Sequence, residues 1–166
     1  YQARVTQGAK EVPGYTLVLG TTNPQTIDIV AEEGNTAVNN VKIFYYVEDT
    51  VDIKYEVVGP DGCGTLDNYQ NNTVKVVDGT PEGSTPTASA GFKFVGWYKY
   101  KDCTQPVDEA WIENNRITPQ KTADLGNGTM GYEAATYYAK FEYDVADLTI
   151  NKQGWQAIDE NQSFIF

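Results

Sequence analysis

The stretch Ala90-Gly91-Phe92-Lys93-Phe94-Val95-Gly96-Trp97-Tyr98 decides how this chain is read. Phe92 and Phe94 alternate with Lys93 and Val95, the period-two pattern of a pleated strand. We expect this strand at the centre of a sheet. Gly91 opens it and Gly96 interrupts it, which predicts a kink or a close backbone approach just before Trp97 and Tyr98. Those two rings are expected to cover the core, because buried aromatics outnumber ligand-facing ones; the alternative is an exposed platform on which a sugar stacks.

The same alternation continues on either side. Val51, Ile53, Tyr55 and Val57 share one face, opposite Asp52, Lys54 and Glu56, and Tyr137, Ala139, Phe141 and Tyr143 line one side of a closing strand. Between them Gly59-Pro60-Asp61-Gly62 is a turn, a loop runs through Asn68, and Thr73-Val74-Lys75-Val76-Val77 reads as a strand pairing back. Residues 78–87 are too rich in Gly, Pro and Thr for a regular element and read as a connector. Pro106, Asp108 and Glu109 stand where a helix start favours them, so one short helical turn is predicted, with Trp111 packing inward. Residues 114–119 and 125–129 read as loops.

Ahead of these lies a polar, glycine-containing lead, followed by Pro13-Gly14 turning into a strand at Tyr15, then strands at 26–30 and 41–47. Pro13-Gly14-Tyr15-Thr16-Leu17-Val18 parallels Ala90-Gly91-Phe92-Lys93-Phe94-Val95, and each is followed by a Tyr-rich closing strand and then an Asp. This faint repeat predicts related β modules in tandem. With Glu48-Asp49-Thr50 as a polar joint, the expected units are 1–48, 49–144 and 145–166. The first is expected to lack strands upstream, and the third has only begun. In that third unit Leu148, Ile150 and Lys152 share one face, which aims the Lys152 amine at an apolar interior.

Composition narrows the function. The 166 residues carry 23 acidic against 12 basic side chains, a net charge of -11. That balance disfavours nucleic acid and anionic membrane surfaces as partners. Histidine is absent, which excludes Ser-His-Asp and Cys-His catalysis and His-ligated metals. No apolar run is long enough to insert in a membrane. The chain starts at Tyr1 rather than Met and is read as a segment of something longer. Cys63 and Cys103 both sit in turn-like contexts and are read as a disulfide pair, as in an exported protein; two separate thiols in a reduced compartment are the alternative.

Residues 50–143, with Gly91-Phe92-Lys93-Phe94-Val95-Gly96-Trp97-Tyr98, Cys103-Thr104 and Tyr137-Tyr138-Ala139-Lys140-Phe141, resemble a bacterial B-repeat of the internalin type. Residues 1–47, with Pro13-Gly14-Tyr15 and Phe44-Tyr45-Tyr46, are similar to the C-terminal part of a mucin-binding-protein (MucBP) repeat. Leu148-Thr149-Ile150-Asn151-Lys152 and the residues from Asp159 to Phe166 resemble the opening strands of a pilin or collagen-adhesin B-type (CnaB-like) domain. The last resemblance implies that Lys152 is an isopeptide-forming lysine whose Asn and acid partners lie beyond Phe166. Together these resemblances imply a mainly β chain of tandem small β-grasp-like modules with at most a short helix. They also imply a setting on the extracellular face of a Gram-positive bacterium, in a protein anchored to the cell wall.

The expected function is a non-catalytic stalk or adhesin segment, touching neighbouring modules of its own chain and needing no cofactor. The alternative is a module that binds host mucin, another glycan or an extracellular-matrix protein, with Trp97, Trp111 or Tyr132 as stacking rings. A glycosidase built on carboxylates alone would need two acids a few ångströms apart, and Glu32-Glu33 and Asp159-Glu160 read instead as solvated turns. Asp61, Asp67 and Asp124 match no twelve-residue calcium loop.

Overall fold

The computed structural model describes residues 2–30 and 41–145. Over them the chain is mainly β, with fourteen strands and a single turn of 3-10 helix at Glu109–Trp111. β1 (Gln2–Gln7) pairs with β3 (Gln25–Val30), and β2 (Tyr15–Leu17) pairs with β4 (Tyr46–Glu48), giving two separate ribbons. The polar lead is therefore a strand. Its register sets Val5 opposite Ile27 and, on the alternate positions, polar pairs: Arg4 reaches Asp28 at 2.7 Å and the Thr6 and Thr26 hydroxyls meet at 2.8 Å.

Only Asp49 separates β4 from β5 (Thr50–Val58). There follow β6 (Gly64–Leu66), β7 (Gln70–Lys75), β8 (Pro86–Ala88) and β9 (Phe92–Tyr98). Then come β10 (Ile112–Glu113), β11 (Arg116–Ile117), β12 (Ala123–Gly126), β13 (Thr129–Gly131) and β14 (Ala135–Tyr143). The main sheet has the order β7-β5-β14-β9, with β5 and β14 parallel at its centre and antiparallel neighbours outside. Ile53 and Tyr55 from β5, Trp97 from β9, and Tyr137, Ala139 and Phe141 from β14 are all buried on one face. Cys63, Leu66, Val107, Ile117 and Tyr132 close over them.

β9 is an edge strand of this sheet, not its centre, and this corrects the expectation. The apolar alternation of a central and an edge strand is the same; the pairing of β5 with β14, about eighty residues apart in sequence, takes the middle. The interruption at Gly96 is a β-bulge. Lys140 faces Gly96 while Phe141 faces Phe94, so Val95 is the extra residue. Strict alternation would put Phe94 and Trp97 on opposite faces; the extra residue returns both to the core, their ring centroids 6.0 Å apart.

Four further segments depart from the reading. Pro86–Ala88, which overlaps the end of the expected connector, is a short strand paired with β6. Residues 114–119 and 125–129 contain the tight turns of two hairpins, β10-β11 and β12-β13. Asn114, Asn115 and Asn127 take positive φ values of 50°, 65° and 53° there, with Gly128 at 77°. β7 begins at Gln70 rather than near Thr73, which itself is left-handed at φ 56°.

The internal repeat has a structural counterpart. Tyr15 N donates to Val12 O at 3.0 Å and Phe92 N to Ser89 O at 3.1 Å, closing two turns whose third residues, Gly14 and Gly91, have φ of 78° and 81°. Each turn starts a strand that pairs antiparallel with its closing strand. The Asp after each closing strand then donates its amide to that glycine's carbonyl, Asp49 to Gly14 and Asp144 to Gly91, both at 2.9 Å.

Candidate functional site

Two places bear on function: the joint at residues 48–49 and a cleft beside Trp111. At the joint, Glu48 ends β4 and turns its carboxylate toward the loop after β7. Its Oε1 accepts the amides of Val77 at 2.7 Å and Asp78 at 2.6 Å, and Lys75 Nζ stands 3.7 Å from Oε2. The side chain is 6% exposed. The Asp78 amide, followed by the Val77 amide and Lys75, holds the carboxyl below its ordinary value despite partial desolvation. Asp49 ties both sides by backbone, donating to Gly14 O and accepting from Val76 N at 2.9 Å each, while Thr16 Oγ1 donates to its carboxylate at 2.6 Å. Tyr15 adds a hydroxyl to Asp78 at 3.2 Å. Gly14 is pressed against Val77, Leu125 and Val76; a Cβ there would lie 2.5 Å from Val77 Cγ2. The β2-β4 ribbon is thus seated on the unit that follows it. Nothing in the apolar pattern pointed to Glu48, and the polar joint read from sequence is an interlocked one.

The rings named from sequence part company. Trp97 is 1% exposed, with its indole N–H donating to Asn115 O at 2.8 Å, so it is a core residue and not a stacking platform. Tyr132 is 8% exposed and has Lys121 Nζ 5.8 Å from its ring centroid. Trp111 is half-buried and forms a wall of a cleft of about 250 Å³ that also includes Lys99, Tyr100, Thr122, Glu133 and Tyr137. Its ring meets that of Tyr137 edge-on at 5.9 Å. Asp108 caps the 3-10 turn that carries it, accepting Ala110 N at 2.9 Å. Burial pushes the Tyr137 phenol up to about 12. Sequence did not single out Tyr100 or Tyr137 for this site, although the run Trp97-Tyr98-Lys99-Tyr100 offered the signal for the first.

Cys63 and Cys103 are free thiols, which corrects the predicted disulfide. Cys63 is buried in the core with Phe141, and Cys103 lies near Lys140 with its thiol pKa raised chiefly by burial. The Cys103 thiol donates to Lys101 O at 3.6 Å, in the turn that follows β9. Lys152, and with it the expected third unit, lies outside the described residues, as do Glu32, Glu33, Asp159 and Glu160. Asp67 accepts from Arg116 NH1 at 2.7 Å and from Thr85 N at 2.6 Å, and Asp124 accepts from Gly126 N at 2.9 Å. Among the described residues no group of three or more Cys, Asp or Glu is placed to hold a metal, and no helix is long and apolar enough to cross a membrane. Compared with known proteins, the chain matches no family model, no curated protein and no solved structure.

Proposed function

We propose that this chain is a non-catalytic structural segment of a stalk or adhesin, displayed on the cell wall of a Gram-positive bacterium, in which small β-grasp-like modules follow one another and hold distance. The observation that carries the reading is the parallel pairing of β5 with β14. Because these strands are adjacent and parallel, the chain enters β5 at one end of the sheet and leaves β14 at the other. Tension between those ends loads six registered pairs, Ile53 with Ala135 through Val58 with Lys140, in shear and all together. A pair peeled from one end would give way bond by bond. The repeated turn, strand and Asp geometry and the interlocked joint at Glu48 also support a tandem array. The extracellular setting draws on the family resemblances and the acidic, His-free composition, no longer on a disulfide.

Force spectroscopy on the full chain tests this. Handles at residues 50 and 143 should require a several-fold higher unfolding force than handles at residues 50 and 134, which peel β14 from β5. Equal forces in the two geometries would remove the mechanical argument.

The Trp111 cleft favours a second reading, a module that itself binds a host glycan or glycoprotein such as mucin. A glycan array separates the two, since a spacer leaves the array blank.

A further inference from the structure

Resting on that second reading, we propose that the Trp111 cleft is a monosaccharide subsite that takes one neutral pyranose ring at the end of a glycan, with Trp111 as its wall and the Tyr137 hydroxyl at its floor.

Tyr137 is 7% exposed, yet no described residue makes a hydrogen bond with its hydroxyl. No fully enclosed side-chain oxygen or nitrogen lacks a partner among the described residues, so this hydroxyl is not sealed off, and Tyr137 is one of the residues that line the cleft. A phenol buried in a core ordinarily has a partner within the protein. Here Tyr55, stacked 6.3 Å away on the same face, donates to Asn71 Oδ1 at 2.8 Å, whereas Tyr137 keeps its donor and acceptor for whatever enters.

The rest of the lining selects the chemistry. At about 250 Å³ the cleft falls below the range of about 300–1,000 Å³ that encloses drug-sized molecules, so it accommodates one ring while the remainder of a glycan runs outside. Lys99 Nζ stands 5.8 Å from the Trp111 ring centroid, and the Glu133 carboxylate, held by Thr122 Oγ1 at 2.7 Å, belongs to a second charged residue of the lining. An anionic ligand meets Glu133 and a cationic one meets Lys99. A neutral polyol donates to the first, accepts from the second, and lays its C–H face on the indole. Lys99 is flexible and only partly buried, so its ammonium can move off the ring to the rim.

The test is an NMR titration of the full chain with methyl glycosides of neutral hexoses and N-acetylhexosamines, with a methyl glucuronide and an acidic peptide as comparisons. The expected result is saturable shifts centred on Trp111, Tyr100 and Tyr137 with at least one neutral glycoside and weaker binding of the glucuronide. Tyr137→Phe, which removes one oxygen, should weaken binding about three- to tenfold with the spectrum otherwise intact. Trp111→Ala should abolish it. Shifts elsewhere, unchanged affinity in Tyr137→Phe, or preference for the peptide or the glucuronide would overturn the subsite. An array still positive for Trp111→Ala would show glycan binding at another place, so the second reading would survive without this cleft. A blank array together with a silent titration would end both.

Discussion

Tyr55 makes a buried side-chain contact, its hydroxyl donating to Asn71 Oδ1 at 2.8 Å between residues 1% and 8% exposed. Burial holds its phenol far above the ordinary value, so the group stays a neutral donor. Tyr55→Phe strands the amide oxygen and should cost about 1–3 kcal/mol in urea denaturation. Gly83 is set by backbone: at φ 77° its added Cβ would lie 2.0 Å from Ile117 O, so Gly83→Ala should cost about 3 kcal/mol or more by the same measurement. Glu48 gives a pH signature. Its folded pKa is depressed, so its contribution is complete above the ordinary glutamate value of 4.5 and is lost as pH falls through the lower folded value. Thermal melts of Glu48→Gln and the parent should therefore differ most near neutrality and converge in acid. The spacing of β5 placed Tyr55 inward, but these three contacts were invisible in the sequence because each joins residues about sixteen to thirty-four positions apart.

Among the elements, β5 and β14 were the most legible. Val51, Ile53 and Tyr55, and Tyr137, Ala139 and Phe141, turn inward as their spacing predicts. The short helical turn before Trp111 was also legible, because Asp108 caps it locally. β1 was not, since Ala3 and Val5 alternate with polar residues over too short a run to stand out, and its Arg4-Asp28 and Thr6-Thr26 pairs appear only once β3 lies beside it. β9 was half legible: Gly96 announced an irregularity, and only the pairing with β14 reveals that Val95 is the surplus residue. This has a testable consequence. Deleting Val95 leaves Phe94 and Trp97 on the core face, whereas deleting Lys93 turns Phe92 outward and breaks its stack on Tyr143, at 5.0 Å. The Val95 deletion should lower the melting temperature less.

For the whole molecule, the thiols give a direct check: with Cys63 buried in the core and Cys103 unpaired in the turn after β9, titration of the denatured chain without reductant should find two free SH groups. Recovery of none would mean a bridge and a different packing around β14. The amino-acid order by itself determined the class of fold, because alternating side chains, turn residues and one capped turn act over a few positions and need no distant partner. It determined too that histidine chemistry is absent, which composition alone settles. Only the tertiary structure decided which strands are neighbours, that Trp97 is covered while Trp111 is half-buried, and that Trp111 and Tyr137 line one cleft. Those outcomes depend on contacts between segments far apart along the chain, and local periodicity is the same whichever of them forms.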